Sequence, residues 1–168
     1  MWRSRSKRMS VVTVVTLTTT LAVSANGAAA TEHDLVLPAG EACDFELAVD
    51  LAGGDRRVER TFRDDDGNPV RTISAGVGSQ LTFTNLANDA MTALPANGAV
   101  MNTVFNADGS QTVTSTGHNV LILFPTDVPA GPSTTLYVGR VVYTVDDDGV
   151  FTLQSTSGRE TDICAALS

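Results

Sequence analysis

Two cysteines, Cys43 and Cys164, bracket nearly everything in this 168-residue chain that carries a folding pattern. A bridge between them closes a loop of about 120 residues and ties the start of a domain to its end. The count, two and only two, favours one intramolecular disulfide over free thiols or intermolecular pairing in an exported chain. In the loop-entropy model such a closure contributes about 5 kcal/mol, less any native strain.

Export is read from the first 30 residues. Arg3, Arg5, Lys7 and Arg8 precede a short apolar stretch, residues 11–23, that contains five threonines. The small residues Ala28, Ala29 and Ala30 follow, which is the order of a secretory signal with cleavage after Ala30. A membrane span needs roughly 20 apolar residues, so this stretch is short for an anchor, and no later stretch is long enough. The expected organisation is a signal peptide over 1–30, an N-terminal tail over 31–42 and one β-domain over 43–168. The expected location is extracellular.

Removing residues 1–30 takes away four basic charges and no acid. Seven arginines then face 19 acids, a net charge of −12, with no lysine and no tryptophan. That balance argues against nucleic acid or an anionic membrane as partner. Arg56, Arg57, Arg60 and Arg63 interleave with Asp55, Glu59 and the acids at 64–66, which favours ion pairs along a solvated strand.

The pattern is β throughout. Phe45, Leu47, Val49 and Leu51 alternate with polar or small residues. Strands are expected over 57–63 and 70–75, split by the Asp-Asp-Asp-Gly-Asn-Pro turn at 64–69, and over 80–85. A hairpin joins 99–106 to 111–116 through Asp108-Gly109. The run VLILF at 120–124 is apolar on both faces, and Tyr137 and Tyr143 share the strand face of Val141 and Val145. Strands over 136–145, 150–155 and 160–164 close the chain, the first two joined by Asp146-Asp147-Asp148-Gly149. Gly139 interrupts the longest strand, and a β-bulge is expected there, because otherwise Arg140 would share the face of Leu136, Val138 and Val142. The expected fold is a single all-β antiparallel domain, an up-and-down meander closed as a barrel or sandwich, with an Ig-like Greek-key sandwich as the alternative. The disulfide then makes the first and last strands neighbours, with Cα atoms about 4.4–6.8 Å apart.

Few residues point to chemistry. Neither Asp-rich turn fits a calcium loop: with Gly67 or Gly149 at its sixth position, Phe62 or Thr144 falls at the first. These are turn residues. Cleavage after Ala30 would leave Thr31-Glu32-His33 at the amino terminus, where the amine of Thr31, two amides and His33 suit a square-planar Cu(II) or Ni(II) site. The alternative is an adventitious match. His118, Asn119 and Asp127 flank the VLILF strand and are candidate binding residues on loops, although the intervening strand places His118 and Asp127 at opposite ends. The plain alternative makes His118 a turn residue. Gly76-Val77-Gly78-Ser79 is not a nucleophile elbow, and no cysteine or lysine is spare for catalysis. No cofactor is assigned.

The segment GHNVLILFPTDVPAGPSTTLYVGRVVYTVDDDGVFTLQSTSG, with the opening CDFELAVD, a central TFTNL and the closing TDICAAL, resembles a group of small exported actinobacterial proteins of uncharacterised activity. The resemblance covers residues 38–168. It implies export and a β-rich domain with paired end cysteines, and it implies no activity. The functional expectation is a non-catalytic binding or interaction module at the cell envelope or in the medium. Two alternatives stand beside it: a β-barrel carrying a small apolar ligand, which needs an interior cavity, and an enzyme of unassigned class.

Overall fold

The computed structural model describes residues 32–168; the expected signal peptide, its cleavage point and Thr31 lie outside them. Ten strands form two antiparallel sheets. The four-stranded sheet is ordered β1 (Leu35–Leu37), β2 (Leu47–Ala52), β5 (Gln80–Asn85), β6 (Met91–Leu94). The six-stranded sheet is ordered β10 (Phe151–Asp162), β9 (Ser133–Val145), β8 (Gln111–Leu123), β7 (Gly98–Phe105), β4 (Pro69–Val77), β3 (Arg56–Arg63). Each sheet keeps two edges, so no closed barrel forms and a two-sheet sandwich fits. Only β7 to β10 run as a simple meander. Segment 31–42, expected as a tail, supplies β1 on the edge of the smaller sheet.

The disulfide joins Cys43 to Cys164 with Cα atoms 5.6 Å apart. It does not join neighbouring strands, as the closed-meander reading required. Among the described strands β1 pairs with β2 and β10 with β9, in different sheets. Cys43 lies in the β1–β2 connection, and Cys164 lies in α1 (Ile163–Ala166), a single turn where a last strand was expected. Asp162 caps that turn by accepting from Ala165 N–H at 2.9 Å. The bridge therefore fastens one sheet to the other. Around it lie Leu37, Ala42, Leu47, Val49 and Phe83 of the smaller sheet and its loops, with Ile163 and Leu167. Val120, Ile122, Phe124 and Leu136 of the larger sheet pack against them. Burial of a side chain such as Phe83 or Leu47 contributes about 2–3 kcal/mol each.

The larger sheet is bent double. Leu123 pairs with Ser133 at one end of β9, and Phe151 pairs with Val145 at the other. Twelve residues of straight strand would separate those ends by about 40 Å. Yet one carboxylate, that of Asp127, accepts from Phe124 N–H at 2.6 Å and from Phe151 N–H at 2.9 Å. Val128 adds two backbone bonds, to Phe151 and Leu153. The fold falls on one register row that crosses the sheet as Arg57, Gly76, Ala99, Gly117, Gly139 and Gly158. All four glycines have positive φ, 151° at Gly139 and 109° at Gly158. A Cβ on Gly139 would lie inside van der Waals contact with the Ser157 carbonyl, and one on Gly158 with that of Val138. Glycine is needed because adjacent backbones close on one another at the crease. Leu121, Leu123 and Tyr137 on one side of it then pack with Val141, Tyr143, Phe151 and Leu153 on the other.

The bulge expected at Gly139 is absent: pairing with Gly117 and Gly158 is continuous, and the irregularity in β10 lies between Leu153 and Ser155. Arg140 is exposed nonetheless, because the crease changes the strand's direction without inserting a residue. Alternation in β3 also separates charges that the sequence interleaves. Among the described residues the only ion pair on this strand is Asp55–Arg57; Arg63 donates to the Gly67 carbonyl at 2.8 Å. The Asp-rich turns are capped from within: Asp64 accepts from Asn68 N–H, and Asp146 from Val150 N–H, each at 2.8 Å. Bonds from Asn68 hold the Asp64 carboxyl below its ordinary range.

Two outcomes follow for stability. Reducing the Cys43–Cys164 bridge should lower unfolding stability by about 2–5 kcal/mol, read from urea midpoints with and without reductant. Gly139→Ala should cost more than about 2 kcal/mol, while Gly54→Ala, with open space at its Cβ, should stay within about 0.5 kcal/mol in the same titration.

Candidate functional site

A cleft of about 840 Å³ opens where the two sheets diverge beside the crease. One wall is a register row of the smaller sheet, Leu51, Leu81 and Leu94. The larger sheet contributes Val120, Leu136 and Val138, and beyond the crease Val141 and Tyr143. Four consecutive residues of β8, from His118 to Leu121, line the cleft. Strand periodicity alone would expose only every second one. The reason is an edge. Pairing of β7 with β8 stops at Ala99–Gly117, so from His118 onward β8 has β9 on one flank and, among the described residues, no strand on the other.

Polar and charged residues share the lining, Ser74, Ser79, Asn97 and Thr161 among them. Ser115 is buried and its hydroxyl donates to the Asn119 Oδ1. The other end of that amide, Nδ2, is buried with no hydrogen-bond partner among the described residues. An unpaired buried amide costs about 1–3 kcal/mol. Tyr143 stacks on Phe151 with ring centroids 5.3 Å apart, and burial pushes its phenol pKa up, so it stays neutral. The Asp55–Arg57 pair also lines the cleft. The Arg57 guanidinium, by hydrogen bonding, holds the Asp55 carboxyl below its ordinary range. Arg159 and Glu160, adjacent on β10, complete the charged lining.

Of the residues singled out in the sequence, His118 and Asn119 both line the cleft, on a strand rather than on a turn or loop. Asp127 does not line it. Its side is 4% exposed and its carboxylate is the clamp that holds the bent sheet closed. His33 Nδ1 lies 3.0 Å from Asp50 Oδ2, so a square-planar metal site with Thr31 would require that contact to break. The leucine row, Tyr143 and Arg159 were not singled out. Leu94 sits on β6, whose four residues show little alternation, and Arg159 follows Gly158, which interrupts the strand pattern.

No family model, curated protein or solved structure matches the chain.

Replacing both members of the polar pair, Ser115→Ala with Asn119→Leu, removes the orphaned amide and its partner together. The double variant should match or exceed the parent in stability, by up to about 1 kcal/mol, in a thermal or urea titration.

Proposed function

We propose that this is an exported, non-catalytic binding domain whose cleft takes a small apolar molecule. The observation that carries the reading is the cleft itself: about 840 Å³, with leucines and valines of two sheets forming its apolar wall and polar and charged side chains set among them. That volume and lining suit a ligand pocket, and a filled core would have left no such space. The buried, unpartnered Nδ2 of half-buried Asn119 supports it, since an apolar residue there would be the better choice for stability alone. The disulfide suits an oxidising compartment, as the Arg3-to-Ala30 signal pattern expects. Asp55 is held as a carboxylate by hydrogen bonding from Arg57, which suits it poorly to a general-acid role. The sandwich is the finer form of the fold that this reading adopts, with the ligand held between sheets instead of inside a closed barrel.

The test uses N-phenyl-1-naphthylamine, a neutral apolar fluorophore. Saturable one-to-one binding with a fluorescence increase is the expected result. Val138→Trp, which fills the cleft, should weaken it at least about tenfold, equal to 1.4 kcal/mol, with an unchanged unfolding midpoint. Non-saturable binding, or binding indifferent to Val138→Trp in a folded protein, sinks the reading.

A further inference from the structure

The polarity of the cleft is ordered along the strands. Val120, Leu136 and Thr161 form one register row across β8, β9 and β10. Val120 and Leu136 pack toward the inter-sheet core along with Leu81 and Leu94 of the opposing leucine row. Two residues nearer the crease, on the same face, the row reads His118, Val138, Arg159. All six residues line the cleft. His118 and Arg159 are exposed, and neither makes a side-chain hydrogen bond or ion pair among the described residues. Two interstrand spacings put them about 10 Å apart across Val138. Strand alternation keeps Glu160 off this row, beside Tyr137, although it borders the cleft, and Asp55 is already paired with Arg57. A chain with a net charge of −12 after residue 30 thus presents two unpaired nitrogen donors, and no carboxylate, on this row at the mouth of an apolar slot.

We infer that the ligand is an apolar carboxylate, with its hydrocarbon part against Leu81, Leu94 and Leu136 and its acidic head between His118 and Arg159. The inference rests on the reading of the cleft as a small-molecule site and adds the class of molecule. The planar guanidinium of Arg159 matches a carboxylate through two parallel N–H donors, and the imidazole of His118 supplies a further N–H. The head stays at the exposed end, where its charge keeps much of its hydration, and the tail gains from leaving water.

Three chains of equal length separate the possibilities: decanoate, decanol and decylamine, each below its aggregation concentration, competing with N-phenyl-1-naphthylamine. Decanoate should displace the dye at about tenfold lower concentration than decanol, and decylamine should be the weakest. Arg159→Gln should remove the advantage of decanoate and leave decanol unchanged. High salt should weaken decanoate alone. Equal displacement by decanoate and decanol, or loss of both in Arg159→Gln, overturns the carboxylate assignment while dye binding and its sensitivity to Val138→Trp keep the cleft reading intact. If the dye itself fails to bind, both fall together.

Discussion

The close passage of backbone over backbone at Gly139 and Gly158 governs the molecule. Four glycines on one register row let a six-stranded sheet crease where any side chain would strike a neighbouring carbonyl. Creasing brings the start of β10 to the end of β8, and the Asp127 carboxylate then bonds both at once. The two features support each other: the crease makes the clamp possible, and the clamp holds the crease at one angle. The same fold-back buries Tyr137 and Val141 in a shared cluster, which one flat sheet with a solvated face would have left exposed.

The disulfide acts at a second level. It lies between the sheets, among Ala42, Leu47, Ile163 and Leu167. Thr134 of β9, fully buried, donates to the Ala42 carbonyl at 3.0 Å beside it. Asn85 and Asn88 donate to the Leu167 carbonyl at 3.0 and 3.1 Å, which anchors the chain end to the smaller sheet. At one end the two sheets are therefore held together by a covalent bond and by hydrogen bonds. The cleft occupies the other region, where β8 loses its β7 partner and the leucine row stands off from β9. The same pair of sheets is thus closed at one end and open at the other.

Where many of the strands lie along the chain was legible because period-two alternation survives locally. The span 80–85 coincides with β5, and the VLILF run divides as alternation requires, Val120, Ile122 and Phe124 toward one cluster and Leu121 and Leu123 toward the other. The breaks in legibility fall at the glycines. The sequence splits β8 near Gly117 and β10 near Gly158, although both strands run through unbroken for 13 and 12 residues. A glycine in a strand pattern reads as an end or a bulge when seen alone. Only its alignment with glycines on three other strands shows that it is a crease. The candidate site suffered for the same reason, since His118 and Arg159 each follow one of those glycines and so read as turn or gap residues.

Composition, alternation and the cysteine count were enough to specify an all-β antiparallel fold with a Cys43–Cys164 disulfide, Asp-Gly hairpins and a strand buried on both faces. These are local properties, set by neighbours two residues apart or by covalent chemistry. Which strands share a sheet, that the disulfide spans two sheets, that the larger sheet bends, and that a cleft opens along the free edge of β8 were decided only in the tertiary structure. Each depends on register between strands far apart in sequence, and side-chain period carries no record of register across a gap.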